Sequence, residues 1–473
     1  MIDTFSIRCS ILRLAFSGKL SEQKEAEGTA KELLFRISPQ KSIKKTEKTP
    51  YEIPASWAWV RIADLYKINP KVEASGATKA AFIPMERISA GFDRAFSYET
   101  QNWEQASKNH TRFADGDVAF AKISPCFENR KSFIAQDLPN GIGGGTTELI
   151  ILRQTEMLPE YTYYLLLDQR FINTGKASYK GTVGQQRVET DVVKNYLVPV
   201  PPYAEQQCIV ERIKQAFSVL DTIDTLQAQY ADNLTALKSK LIDAAIQGKL
   251  TKHCPEDGTA EELHQQIKAE KLVLIKAGKI KKEKPLPEIV ADEIPFEIPY
   301  NWKWIRFSSA MLTMSTGPFG SMLHKSDYIK NGIPVINPAN IINRAIIPSE
   351  KMQVSMETRE RLSAYALHEG MIVLGRRGEM GRCAVVGKNE EGWLCGTGSF
   401  FMEPSANVLS DYFSLFLSSP YAKTYLSGQS IGMTMDNLNQ KILQNMPVPL
   451  PPFEEQRRIV QAHSDLLALL NNQ

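Results

Sequence analysis

Two mixed α/β domains, set apart by a long antiparallel two-helix coiled coil and closed into a cyclic pseudo-two-fold repeat, form the architecture that the sequence predicts. Three observations predict it. A frame of short motifs occurs twice in the same order, each copy encloses a stretch of strand-and-helix pattern, and a heptad seam follows the first copy while only its beginning follows the second. A length of 473 residues, about three times a usual domain of roughly 150, leaves room for two such cores.

The frame comes first in the chain and decides the rest. AFSGKL from Ala15 returns as AIQGKL from Ala245, and each is followed by Gly-Thr-Ala, at Gly28 and Gly258, an offset of 230 residues. IPASWAWVR from Ile53 returns as IPYNWKWIR from Ile298, and LVPVPPYAEQQCIV from Leu197 is matched by PVPLPPFEEQRRIV from Pro447, at offsets of 245 and 250. Two long units follow from this, rather than many short ones.

Between the repeated pieces lie two inserts, roughly 62–196 and 307–446, that resemble each other much less. Short Val-, Ile- and Phe-rich runs such as Asp117-Val-Ala-Phe-Ala-Lys-Ile and Gly370-Met-Ile-Val-Leu, punctuated by Gly, Pro and Asn, predict strands and turns. Tyr161 to Phe171 and Asp411 to Leu426 predict helices, so each insert is a mixed α/β domain. Lysine-rich, proline-marked connectors precede the inserts, from Pro39 to Pro50 and from Lys276 to Pro287, and read as solvated boundaries.

After Pro202, steps of four and three pass through Ile209, Ile213, Ala216, Leu220, Ile223, Gln227, Tyr230, Leu234, Leu237, Leu241 and Ala244. That is a sustained heptad seam about 53 Å long at 1.5 Å per residue, and it requires a partner helix. In the second copy Ile459, His463, Leu466 and Leu470 begin the same seam, while Ile7, Ile11 and Leu14 correspond to Leu237, Leu241 and Ala244. The expectation is that the two terminal helices together rebuild the second long helix. The predicted parts are an amino-terminal helix (1–25), a first domain (51–200), a central coiled-coil helix (201–272), a second domain (295–450) and a distal helix (451–473).

Composition excludes several functions. Lys plus Arg number 56 against 53 Asp plus Glu, a net charge of +3, so any nucleic-acid surface must be local. Six cysteines form no C-x-x-C pair, and the histidines show no ligand spacing, which argues against disulfide frameworks and metal sites. No run reaches the roughly 18 apolar residues of a membrane span, so a soluble, cytoplasmic protein is expected. No G-x-x-x-x-G-K-[ST] loop occurs. Leu394-Cys-Gly-Thr-Gly is only faintly like an adenosylmethionine loop, and Val200-Pro-Pro-Tyr lacks the polar first residue of the amino-methyltransferase motif. Catalysis is not expected.

Gly-Lys-Leu, Trp-x-Trp, a domain, then P-x-P-x-P-P-aromatic-x-E-Q-x-x-I-V into a long helix, present twice, resembles the specificity subunit of type I restriction-modification systems. Gly317-Pro-Phe-Gly-Ser-Met-Leu with Asp327-Tyr, Gly332-Ile-Pro-Val-Ile and Asn340-Ile is similar to a common opening of target-recognition domains, and Gly181-Thr-Val-Gly-Gln-Gln-Arg-Val resembles a loop that precedes their closing strand. The resemblance implies a subunit without chemistry of its own. Each target-recognition domain would read one half of a bipartite site in double-stranded DNA, and the helices would set the spacer and dock methylation subunits. Restriction subunits would cleave. Adenosylmethionine and ATP with magnesium would then belong to partner subunits, and none to this chain.

Since Arg forks onto guanine, Asn or Gln onto adenine, and Lys serves phosphates, the candidate DNA contacts of the first insert are Lys122, Arg130, Lys131, Gln185, Gln186 and Arg187. Those of the second are Arg376, Arg377, Arg382, Asn437, Asn439 and Gln440. Glu205, Gln206, Glu455 and Gln456 recur at helix starts, where both capping and partner docking are open readings. Two alternative functions are an adenine methyltransferase working through Val200-Pro-Pro-Tyr and an assembly scaffold that reads no DNA.

Overall fold

The computed structural model describes residues 1–37, 49–154, 156–182, 185–319, 322–428 and 438–471, and the chain divides into two units, Met1–Gln229 and Tyr230–Gln473. Most of the first lysine-rich connector and the candidate Asn437 lie outside the described residues.

In the first unit the insert begins and ends at one place. Strand Ala58–Arg61 pairs antiparallel with Leu197–Val200, placing Trp59 opposite Pro199. A two-stranded ribbon tolerates Pro199, whose missing N–H would break a central strand. Beyond it stand two four-stranded sheets. One is antiparallel, in the order Lys67–Ile68, Leu149–Arg153, Val118–Ala121, Ser132–Ile134. The other runs Glu99–Asn102, Lys79–Ile83, Ile142–Gly145, Thr111–Ala114, with its central pair parallel. Val118, Phe120, Ile150 and Leu152 face the core shared with helices Pro159–Leu167 and Gln169–Ala177, while Ala119, Leu149 and Ile151 face the second sheet. Burial on both faces is why these strands read as continuous apolar runs rather than as alternation.

The second unit repeats the plan. Lys303–Arg306 pairs with Pro447–Leu450, Trp304 opposite Pro449. Met311–Thr316, Ser399–Pro404, Ile372–Gly375 and Cys383–Val385 form the antiparallel sheet, and Val335 pairs in parallel with Leu394 in the other. Ile372, Leu374, Phe400 and Met402 face helix Ser410–Leu417, and Val373 and Phe401 face the opposite core.

A helix of 44 residues, Tyr203–Ile246, carries the chain from one unit into the other. The expected central helix of 201–272 is therefore two helices, the second being Ala260–Lys276. The break is at the repeated Gly-Lys-Leu. Gly248 has φ +70, and a Cβ on it would stand 2.5 Å from Pro299 Cγ. Gly18, with φ +68 and Pro54 Cγ at 2.3 Å, ends helix Thr4–Phe16 in the same way. Only glycine meets both demands.

Helix Thr4–Phe16 runs antiparallel to the start of the long helix, since Thr4 Oγ1 donates to Asp224 and Arg8 donates to Asp221, while Arg212 donates to Leu20 O. Its buried face is Thr4, Arg8, Leu12, Ala15 and Phe16, which corrects the expected seam. Ile7 and Leu14 are exposed. The heptad reading assumed a helix as sole neighbour, whereas Leu12, Ala15 and Phe16 also enter the insert's core, Phe16 meeting Tyr161 edge to face. Tyr230, Leu237 and Leu466 are likewise exposed, at 50%, 48% and 40%.

Candidate nucleic-acid interface

The frame carries the candidate interface, and its chemistry is duplicated. Glu205 accepts hydrogen bonds from the Trp57 indole at 2.7 Å, Ser21 Oγ at 2.7 Å and Gln23 Nε2 at 2.9 Å. Glu455 accepts from the Trp302 indole at 2.9 Å and Thr251 Oγ1 at 3.2 Å, and its Oε1 lies 2.6 Å from His253 Nδ1. Gln206 accepts from Leu158 N and donates to Pro201 O, as Gln456 does with Leu409 N and Pro451 O. Tyr161 and Tyr412 each donate to the facing strand's proline carbonyl, Pro199 O and Pro449 O, at 2.8 Å.

All four residues of the Glu-Gln pairs are thus buried and satisfied inside the chain, Glu205 at 1% exposure and Glu455 at 0%. That corrects the partner-docking reading of Glu205, Gln206, Glu455 and Gln456. They tie the long helices to the domains. The residues that sequence reasoning missed here are Trp57 and Trp302, although their recurrence in step with Glu-Gln was visible.

Val200 is also structural: it is fully buried and paired with Ala58, and the Pro201 carbonyl is already occupied by Gln206. No acceptor pair is left for a target amine, which removes the methyltransferase reading of Val200-Pro-Pro-Tyr.

The candidate contacts gather at one end of each antiparallel sheet. In the first unit strand Val118–Ala121 runs into Lys122, whose N–H donates to Glu148 O at 2.8 Å and whose carbonyl accepts from Val188 N at 2.9 Å. Ser124 N donates to Gln186 O at 2.8 Å, so the segment carrying Gln185, Gln186 and Arg187 is laced to the strand end. In the second unit strand Ile372–Gly375 runs into Arg376, whose N–H donates to Gly398 O at 2.8 Å and whose carbonyl accepts from Leu438 N at 3.0 Å, next to Asn439 and Gln440. Lys122 and Arg376 therefore hold one register position in two domains of unlike sequence.

A second pair coincides in the same way. Ala121 N donates to Lys131 O and Gly375 N to Arg382 O, across the adjoining hairpins. The side chains then make matching contacts, Lys131 Nζ to Met85 O at 2.8 Å and Arg382 to Pro338 O at 3.3 Å.

Their surroundings differ in charge and access. Arg187 is exposed and forks onto Glu148 at 2.9 and 2.8 Å, a hydrogen-bonded pairing that holds the Glu148 carboxyl below its ordinary range. Arg376 is half-buried over the Phe400 ring at 5.0 Å, and burial lowers its pKa. Arg377 is exposed. Arg382 also pairs with Glu379 at 3.1 Å. Asn439 caps helix Gln440–Asn445 through Lys441 N, and Gln440 donates to Met314 O at 2.9 Å.

Arg130 does not belong to this surface. It is 5% exposed, donates to Leu167 O at 2.9 Å and lies between the Phe5 and Phe92 rings at 4.9 and 5.3 Å. Its expected DNA contact is corrected to an internal role, because the long-range aromatic contacts that enclose it leave no sequence-local trace.

Residues 54–229 and 319–473 match the family described as Type I restriction modification DNA specificity domain. The chain is 31% identical to the Type I restriction enzyme EcoEI specificity subunit of Escherichia coli, over 98% of this chain and 89% of that protein. It is also 31% identical to the EcoAI specificity subunit of the same organism, over 99% and 90%. A solved structure concerned with complex assembly and conformational transition of the type I R-M system aligns with TM-score 0.63 at 18% identity, covering 89% of this chain and 93% of that one. The HsdS subunit from Thermoanaerobacter tengcongensis aligns with TM-score 0.51 at 19% identity, covering 90% and 93%. The double frame, the matching register of its two domains and these likenesses agree: the chain belongs to the type I restriction-modification DNA specificity family.

Proposed function

We propose that this protein is the DNA-sequence-recognition subunit of a type I restriction-modification complex and is not itself an enzyme. The observation that carries the reading is the coincidence of Lys122 with Arg376, and of Lys131 with Arg382, at matching register positions. One scaffold presents different side chains at one place, which is what reading two different base patterns requires.

The finer reading is an asymmetric bipartite site in double-stranded DNA, one domain per half. A cyclic pseudo-two-fold arrangement, with the terminal helices completing an antiparallel coiled coil, would fix the unread spacer, since the groove facing a rigid protein recurs about every 34 Å. Methylation subunits dock on the helices, whose exposed Tyr230, Leu237 and Leu466 supply apolar surface, and restriction subunits join the same complex. Adenosylmethionine and ATP with magnesium are assigned to those partners, in the cytoplasm. Among the described residues no helix is long and apolar enough to cross a membrane.

The test is to express the chain with its methylation subunit and map modified adenines across a genome. Two unlike half-sites at one fixed separation are expected, and exchanging insert 62–196 changes one half alone. A single contiguous site, or a change in both halves, defeats the reading. A chain that assembles with its partners but shows no sequence preference is a scaffold.

A further inference from the structure

Each unit has a cleft between its recognition domain and its helices, and the duplication makes one cleft an internal control for the other. In the first unit, a cleft of about 570 Å³ is lined by Arg8, Arg94 and Lys214 and by Asp93, Asp221 and Asp224, three charges of each sign. Arg8 spans two of the carboxylates, at 2.6 Å from Asp221 and 2.9 Å from Asp224. This cleft is self-neutralised.

In the second unit, a cleft of about 760 Å³ has Lys238 where the first has Arg8, and Asn471 where the first has Asp221, under the same offsets of 230 and 250. The contact survives, Lys238 Nζ donating to Asn471 Oδ1 at 2.7 Å, but its acceptor has lost the charge. Arg344, Arg382 and Lys423 complete the cationic lining, against the single carboxylate of Glu379 among the described residues. Glu379 is shared by Arg382 and Lys423. Arg344 donates only to neutral oxygens, Ser414 Oγ at 3.2 Å and Asp411 O at 3.1 Å, and makes no ion pair among the described residues. His463 on the cleft wall is buried and its pKa is pushed down to about 4, so at neutral pH it adds no charge. Among the described lining residues four cations face one anion, in a concavity large enough for a phosphate group, and low-dielectric walls strengthen the resulting field.

We propose that this cleft of the second unit binds phosphate, and that in the assembled complex the phosphate is a backbone phosphate of the DNA beside the bases read by the adjoining loop. Arg382 belongs both to the cleft and to the hairpin at the candidate interface, which places the two within one side chain of each other. The choice of DNA as the source rests on the proposed function. A free nucleotide or inorganic phosphate is the other source of the same chemistry.

Two variants of the full chain, in complex with its methylation subunit, test this. Asn471→Asp gives the second cleft the acceptor charge of the first, and Lys238→Gln removes one cation. Both residues lie at or near the surface, so folding is retained. Binding is measured against cognate and unrelated duplexes across a salt series, and thermal stability is measured with inorganic phosphate and with ATP.

With a DNA phosphate in the cleft, Lys238→Gln lowers the slope of log K against log salt by about 0.9, the value for one lost phosphate contact. Both variants then weaken cognate and unrelated DNA by similar factors, leaving the preferred sequence unchanged. If the slope holds but phosphate- or ATP-dependent stabilisation of the wild type is lost in both variants, the cleft takes a free phosphate and its assignment to DNA is overturned. If neither readout responds, the phosphate site itself is overturned. A wild-type complex without any sequence preference defeats the recognition function separately, and the phosphate arm still decides the cleft.

Discussion

The Trp57 indole N–H donates to Glu205 Oε2 at 2.7 Å, across 148 residues of chain, and Trp302 repeats the bond to Glu455 at 2.9 Å across 153. Each bond joins the start of a recognition domain to the helix that leaves it. A carboxylate sealed at such a joint is stable only while every lone pair finds a donor.

Glu205→Ala is expected to leave Trp57, Ser21 and Gln23 without their shared acceptor and to cost the first unit about 1–3 kcal/mol or more. Urea unfolding followed by tryptophan fluorescence checks this. Glu455→Ala should act on the second unit in the same sense. An unchanged midpoint in both variants contradicts the account of the joint.

Arg130→Ala should lower stability by roughly 3 kcal/mol, because it removes a buried, hydrogen-bonded cation held between Phe5 and Phe92. Genome-wide mapping of methylated adenines with this variant should return the wild-type sequence in both half-sites. A changed base preference would restore Arg130 to the recognition surface.

Lys122→Ala and Arg376→Ala occupy matching positions but should affect different halves of the site. A side chain that reads a base edge contributes about 1–3 kcal/mol of discrimination, and one on a phosphate weakens all sequences alike. Duplexes mutated in one half at a time separate the two cases. Both variants acting on the same half would break the assignment of one domain to one half-site.

The second unit should be acid-sensitive. Burial lowers the pKa of His264 and His463 from the ordinary 6.5 to about 4 in each case, with Lys268 and Arg344 respectively adding to the effect. Between pH 6.5 and pH 4 the unfolded chain binds the protons that the folded chain refuses, so stability falls as pH falls through this window and is flat above it. Neither ring nitrogen of His264 has a hydrogen-bond partner among the described residues. His264→Leu and His463→Leu should each flatten the melting temperature against pH. An unaltered slope in both variants counts against these pKa shifts.

Much of the frame is legible in the sequence. Pro201 and Pro451 separate ribbon from helix, and the Trp-x-Trp repeats at Trp59 and Trp304 mark the entry to each insert. The helix stops at Gly18 and Gly248 instead fall inside the predicted spans 1–25 and 201–272, and emerge only from the positive φ and the prolines packed against them. The strand runs at Val118 and Ile372 were visible because burial on both faces leaves an unbroken apolar signature. Side-chain chemistry alone singles out Lys122 and Arg376, and only strand register shows them to be equivalent.

Other features depend on who the neighbours are. The same residue type, arginine, is sealed at Arg130 and solvent-facing at Arg187, because Phe5 and Phe92 arrive from elsewhere in the chain at one and not at the other. The heptad pattern predicted a helix correctly but not its buried face, since Thr4–Phe16 packs on the insert's core as well as on the long helix. Sequence by itself determined the duplicated elements and their order, which recurrence and periodicity dictate. Tertiary structure decided which charges are satisfied inside and which are offered to a partner, because desolvation is set by atoms that only folding brings near.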